Sequence, residues 1–176
     1  MTKCYSLCCV VLLIFILASP SCASKPNVTK LVNEVCAKTS NYTFCVESLY
    51  SDPHASESDT YGLAIVAFRL AYRNATSTKD YITELLKKAS SSSHMLLQKC
   101  LTDYEKAISA IETAYNDLNS ESFSALADYA GDASRGALDC QATLKGYNNS
   151  LLHFMNNAVK GLCQICLVIS KLFKGS

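Results

Sequence analysis

The 176-residue sequence holds only three histidines, three prolines and six glycines, and each shortage closes off a reading. His54, His94 and His153 fall in a linker and near two helix starts, and no pair has metal-ligand spacing on one face. A Gly-x-Ser-x-Gly nucleophile elbow and a phosphate-cradling glycine loop are both missing. Gly131-Asp132-Ala133-Ser134-Arg135-Gly136 lacks the lysine a P-loop needs and lies inside an apolar seam. No catalytic residue, metal or cofactor is therefore expected. No strand-type alternation appears, and beyond Pro53 no proline occurs, so long helices can run without a break.

What is present is helical seams. Leu97, Leu101, Tyr104, Ile108, Ile111, Tyr115 and Leu118 recur at spacings of 4, 3, 4, 3, 4 and 3, a seam along a helix about 33 Å long. After Asn119-Ser120 a second seam follows: Phe123, Leu126, Ala130, Ala133, Ala137 and Cys140. Its small members let a neighbouring backbone come close. An antiparallel pair of helices with a short turn brings Cys100 and Cys140 side by side, so they are expected to staple this hairpin. Ahead of it, Tyr61, Ile65, Phe68, Tyr72, Ala75, Ile82, Leu86 and Ala89 predict a helix over about 56–89, with Ser56 or Ser58 as its cap. The polar run 74–78 is a place where that helix could kink. Leu152, Met155, Val159, Leu162, Cys166, Ile169 and Phe173 make the fourth seam. Four seams with short turns predict an all-α, up-down-up-down four-helix bundle over 56–174.

Residues 30–52 form a smaller unit, two short apolar stretches around the turn residues Thr39, Ser40 and Asn41. Cys36 and Cys45 lie nine apart across that turn and are expected to close a helical hairpin arm by a local disulfide.

Residues 4–19 are almost wholly apolar behind Lys3, and Ser21-Cys22-Ala23 offers small residues for cleavage. A secretory signal peptide over 1–23 is expected, with a mature domain over 24–176. The run is too short for a membrane anchor, which needs about 20 apolar residues. An oxidising compartment suits paired cysteines, and sequons at Asn27, Asn41, Asn74 and Asn148 suit glycosylation on that route.

Charge is uneven. Residues 101–139 carry eight acids against Lys106 and Arg135, a net of −6, whereas residues 140–176 carry four lysines and no acid. An acidic hairpin does not suit nucleic acid; it suits a basic protein partner. Asp128, Asp132, Arg135 and Asp139, spaced 4, 3 and 4, form an outer stripe on the second hairpin helix and are the candidate partner-binding residues. Cys163 and Cys166 lie mid-helix among Leu162, Ile165 and Leu167, which fits two buried thiols better than a redox pair.

Cys36 and Cys45 flanking Asn41-Tyr42-Thr43-Phe44, then Leu49-Tyr50-Ser51-Asp52-Pro53, then Cys100, Tyr104 and Cys140, resemble the plant invertase and pectin methylesterase inhibitors over Leu31 to the C-terminus. The resemblance implies a secreted four-helix bundle with an N-terminal helical hairpin and disulfides Cys36–Cys45 and Cys100–Cys140. It also implies a protein without catalysis of its own, which binds a carbohydrate-active enzyme and covers its active-site cleft. The invertase branch carries Pro-Lys-Phe in the turn between the second and third bundle helices. Here that place looks like Glu121-Ser122-Phe123, so Phe123 alone matches and joins the candidate partner-binding residues. The segment from Leu162 to Ser170, with a cysteine at position 163, looks like the pectin methylesterase branch. The family often has threonine before its fourth cysteine; Asp139 stands there instead.

The leading expectation is a cell-wall or apoplastic inhibitor of pectin methylesterase. Its rivals are an inhibitor of acid invertase in cell wall or vacuole, and a secreted helical module that binds another partner.

Overall fold

The structure, a computed structural model, describes residues 28–173. The expected signal peptide and Asn27 lie outside the described residues. Six α-helices follow in order: α1 Lys30–Cys36, α2 Tyr42–Tyr50, α3 Thr60–Leu86, α4 Ser91–Asn119, α5 Leu126–Thr143 and α6 Ser150–Ser170, with a 3-10 turn at Pro53–Ser56. Among the described residues there is no strand. α4 packs on α5, α5 on α6, and α3 on both α4 and α6. That closed ring of antiparallel neighbours is the four-helix bundle the seams predict. α1 and α2 pack on each other and against α6 as the N-terminal hairpin.

The helix starts are set by side chains that satisfy otherwise unpaired N–H groups. Asn41 Oδ1 accepts from Phe44 N at 3.1 Å, Asp59 Oδ1 from Gly62 N at 2.8 Å and Asn149 Oδ1 from Leu152 N at 2.9 Å. α3 therefore begins at Asp59, not at Ser56 or Ser58. Residues 53–56 are taken by the 3-10 turn that Asp52 caps.

α3 runs through 74–78 without a break. Asn74 Nδ2 donates to the Leu70 carbonyl at 2.9 Å and Thr78 Oγ1 to the Asn74 carbonyl at 2.7 Å, so these polar groups turn back onto their own helix. The expected α3 seam is buried at Phe68, Ala75 and Ile82, and the buried face widens from it over Ala64, Ala67, Ala71 and Thr78, while Tyr61 and Tyr72 lie at its exposed edge. Alanines let helices approach, and a tyrosine keeps its hydroxyl wet at the rim.

Both expected disulfides form, with Cα–Cα distances of 5.5 Å for Cys36–Cys45 and 4.4 Å for Cys100–Cys140. Beside the second, Gly136 lets α5 press onto α4: a Cβ there would lie 2.5 Å from the Asp103 carbonyl oxygen and 2.9 Å from Ala107 Cβ. The α4–α5 connection ends α4 in a Schellman motif, Ser122 N donating to Asp117 O at 2.8 Å and Glu121 N to Leu118 O at 3.1 Å. Glu121 takes the left-handed position there, at φ 56°.

The core is not wholly apolar. Tyr104 donates to Asn156 Oδ1 at 2.6 Å, linking α4 to α6 in the bundle centre, and burial pushes the Tyr104 hydroxyl pKa upward. On α6 the seam turns on Asn156 rather than Met155, which is half-buried. α6 is long and apolar enough to cross a membrane by length and composition. Its apolar face is instead buried within the bundle, against α3 and α5.

Candidate functional site

The first turn of α5 and the three turns after it place Asp128, Asp132, Arg135 and Asp139 on one exposed face, because their spacing returns to the same side of a helix. Behind them the small residues Ala130, Ala133, Gly136 and Ala137 are buried, so little bulk stands between this face and α4. The result is a groove of about 520 Å³ between α4 and α5. Tyr129, Asp132, Arg135 and Asp139 line it from α5, and Asp103, Lys106, Ser109 and Ala110 from α4. Asp128 is exposed one turn further along and does not line it.

The charges in the groove are partly matched. Arg135 donates to Asp132 at 3.0 Å across an exposed i,i+3 pair, and Lys99 donates to Asp103 at 3.0 Å. Asp103 is only 5% exposed, so its carboxylate sits in the groove wall. The seam pattern missed it. The signal that could have found it is Lys99 four residues earlier, at ion-pair spacing on the same helix. No ion pair to Asp128 or Asp139 forms among the described residues, and these two carry the stripe's unmatched charge.

Phe123 is not brought to this face. It lies in the α4–α5 connection, half-buried, with its ring stacked 4.4 Å from Phe173 and edge-on to Tyr61 at 6.4 Å. Its surface is spent on closing one end of the bundle.

The arm is held by specific contacts. Phe44 fills the space that a side chain at Gly161 of α6 would occupy, and Ser40 Oγ donates to Gln164 Oε1 at 2.6 Å. Asp52, in the linker, accepts from the His54 backbone at 3.0 Å and pairs with Arg69 of α3. Burial pushes the Asp52 pKa up. The hydrogen bonds from His54 and Arg69 and the Arg69 charge outweigh that and hold it below the usual carboxylate value.

The sequon asparagines differ in setting. Asn41 and Asn148 are exposed in turns, although Asn41 also caps α2. Asn74 lies inside α3 with its amide folded onto Leu70. Cys163 and Cys166 are free and buried. Burial pushes the Cys163 thiol up to about 12 and raises Cys166 as well, so both remain protonated, poor nucleophiles.

Comparison with known proteins places the fold. The family model described as "Plant invertase/pectin methylesterase inhibitor" matches residues 30–169. The chain is similar to a pectinesterase inhibitor of Actinidia deliciosa, 32% identical over 98% of this chain and 97% of that one. It is also similar to "Cell wall / vacuolar inhibitor of fructosidase 2" of Arabidopsis thaliana, 34% identical over 64% of this chain and 62% of that one. Among solved structures, a mutant form of a pectin methylesterase inhibitor from Arabidopsis has the same fold, at TM-score 0.75 and 24% identity, covering 82% of this chain and 97% of that chain.

Proposed function

The chain belongs to the plant invertase/pectin methylesterase inhibitor family, and on that premise we propose that it is a secreted inhibitor of pectin methylesterase, docking on the enzyme and covering its active-site cleft. It is an inhibitor and not an enzyme. The observation that carries the choice of target is that the likeness to the Actinidia pectinesterase inhibitor runs end to end, whereas the likeness to the Arabidopsis fructosidase inhibitor spans under two thirds of either chain.

The α4–α5 face supplies what docking needs. A disulfide and the Gly136 contact fix the two helices, so little ordering entropy is lost on binding. Asp128 and Asp139 present unmatched negative charge to a basic enzyme surface, which speeds encounter and disfavours wrong partners. The Asp132–Arg135 pair is exposed, and a competing charge on the enzyme can take either member. Secretion to the cell wall is supported by the apolar N-terminal run and the two disulfides, and the exposed Asn148 suits a glycan better than Asn74, whose amide is folded onto its own helix.

A second reading, inhibition of acid invertase, is favoured by Phe123 at the place of the invertase branch's aromatic residue. The stack of Phe123 on Phe173 weighs against it, because a half-buried ring must give up that contact before it can enter another protein's cleft.

Titrating the disulfide-intact protein into a plant pectin methylesterase and into an acid invertase separates the two. Loss of esterase activity near one-to-one is expected; loss of invertase activity alone reverses the choice, and loss of neither across several isoforms refutes both.

A further inference from the structure

On the other flank of α5, two adjoining hollows of about 330 and 260 Å³, with Ser40, Lys160 and Gln164 in the lining of both, lie in the groove between α5, α6 and the turn of the arm. Its lining holds amides and hydroxyls (Ser40, Asn41, Ser134, Asn157, Gln164), one cation, Lys160, and no carboxylate. Phe154 at its rim is 70% exposed and Leu138 44% exposed; neither belongs to the core cluster. Eleven residues after Lys160, the exposed Lys171 caps α6. That interval brings it within about 20° of the same direction and about 17 Å along the axis. This flank is the chemical opposite of the α4–α5 face: residues 140–176 bear no acid, while 101–139 bear a net of −6.

We propose that this groove binds an acidic oligosaccharide. The Lys160 ammonium takes a uronate carboxylate, a charge-assisted contact. The side-chain amides of Asn157 and Gln164 hold ring hydroxyls, and the Phe154 ring covers an apolar sugar face. A concave site with a few placed polar groups beside apolar surface is the usual form of a small-molecule site. The proportion of groups selects the sugar over an acidic peptide: a uronate carries several hydroxyls per carboxylate, and this lining offers several neutral hydrogen-bonding groups per cation. A peptide rich in Asp and Glu would call for a cation at each carboxylate. The consequence is a protein held to the acidic polymer of the wall by one flank while the other flank is free for the enzyme.

The test uses the full mature chain carrying Thr43→Ala. Thr43 is exposed, so this removes the sequon at the groove's rim and keeps the Asn41 cap. Backbone amide shifts are followed by NMR during titration with the α-1,4-linked tetramer of galacturonic acid. Saturable shifts at Ser40, Asn157, Lys160 and Gln164 are expected, with binding at least fivefold weaker for Lys160→Glu, for Phe154→Ser and for the fully methyl-esterified tetramer. No saturable shift, shifts confined to the α4–α5 groove, or equal binding of a polyglutamate peptide would overturn the proposal, the last by making this an acidic-protein site. Esterase inhibition assayed on the same samples reports on the inhibitor reading separately.

Discussion

One added methyl at Gly136 tests how firmly α4 and α5 are locked. In an unconstrained helix Gly→Ala stabilises by about 1 kcal/mol through propensity alone. Here the new Cβ would meet the Asp103 carbonyl oxygen at 2.5 Å, against ordinary carbon–oxygen contacts of about 3.3 Å, so the helices must part by roughly 0.8 Å. They cannot part freely. The Cys100–Cys140 disulfide lies one turn away and holds the two Cα atoms 4.4 Å apart. Overpacking costs about 1–3 kcal/mol, and a clash with backbone rather than with a flexible side chain belongs at the upper end. The net expectation is a loss of about 1–2 kcal/mol, a fall in Tm of about 2–8 °C for a domain this size. Thermal melts of Gly136→Ala measure it. In a background lacking Cys100 and Cys140 the same change should cost less, because α4 and α5 are then free to separate. A higher Tm for Gly136→Ala in the disulfide-bonded protein would show that propensity wins and that the close approach is not a constraint.

Most of the fold was legible in the sequence because seams of large residues mark helices whatever their neighbours are. The 4-3 spacing from Leu97 to Leu118 and the two cysteine pairs were enough for the bundle, its hairpin and both staples. Small and polar residues hid the rest. In α3 the spacing found Phe68, Ala75 and Ile82 but put Tyr61 and Tyr72 in the core, where the alanine row beside them is buried instead, since a helix pair packs closest where side chains are short. Asn156 and Asp103 were invisible to an apolar pattern: each is buried because another helix position, Tyr104 or Lys99, answers its polarity. The candidate site divided in the same way. The α5 stripe follows from helical period alone, so Asp132, Arg135 and Asp139 do come together on one groove. Phe123 was placed by likeness to a motif rather than by period, and the structure turns its ring into the end of the bundle, where it stacks on Phe173, fifty residues further along the sequence.

By the loop-entropy model, closing 40 residues contributes about 4 kcal/mol and closing 9 about 3; replacing Cys100 and Cys140 by serine should therefore lower Tm more than replacing Cys36 and Cys45, and a reversed order in paired melts would reject it. Glu121→Gly should stabilise by about 0.5–1 kcal/mol, since φ 56° suits glycine and not glutamate; a urea midpoint that does not rise refutes that. Asp52 has a lowered folded pKa, so its contribution is full above the unfolded value near 3.9 and is lost as pH falls through the folded value below it. The stability gap between the parent and Asp52→Asn should thus be constant from pH 7 to about 5 and shrink below about pH 4, and a gap unchanged down to pH 2 would contradict the pairing with Arg69 and His54. The last test is charge reversal on the α5 stripe. Asp128 and Asp132 are exposed, and neither belongs to the buried row of Leu126, Ala130 and Ala133, so Asp128→Lys with Asp132→Lys should leave helical content and Tm nearly unchanged. It replaces two negative charges by two positive ones beside Arg135, whose ion pair with Asp132 is lost in the same step. If a basic enzyme surface meets this face, association at low salt should slow by about tenfold or more. The difference from the parent should narrow as ionic strength rises past about 0.1 M, where screening acts over about 10 Å. Stopped-flow association with pectin methylesterase at two salt concentrations reads both effects. A double variant that associates as fast as the parent at low salt would move the inhibitory contact off α5 and leave the stripe as a solvated face.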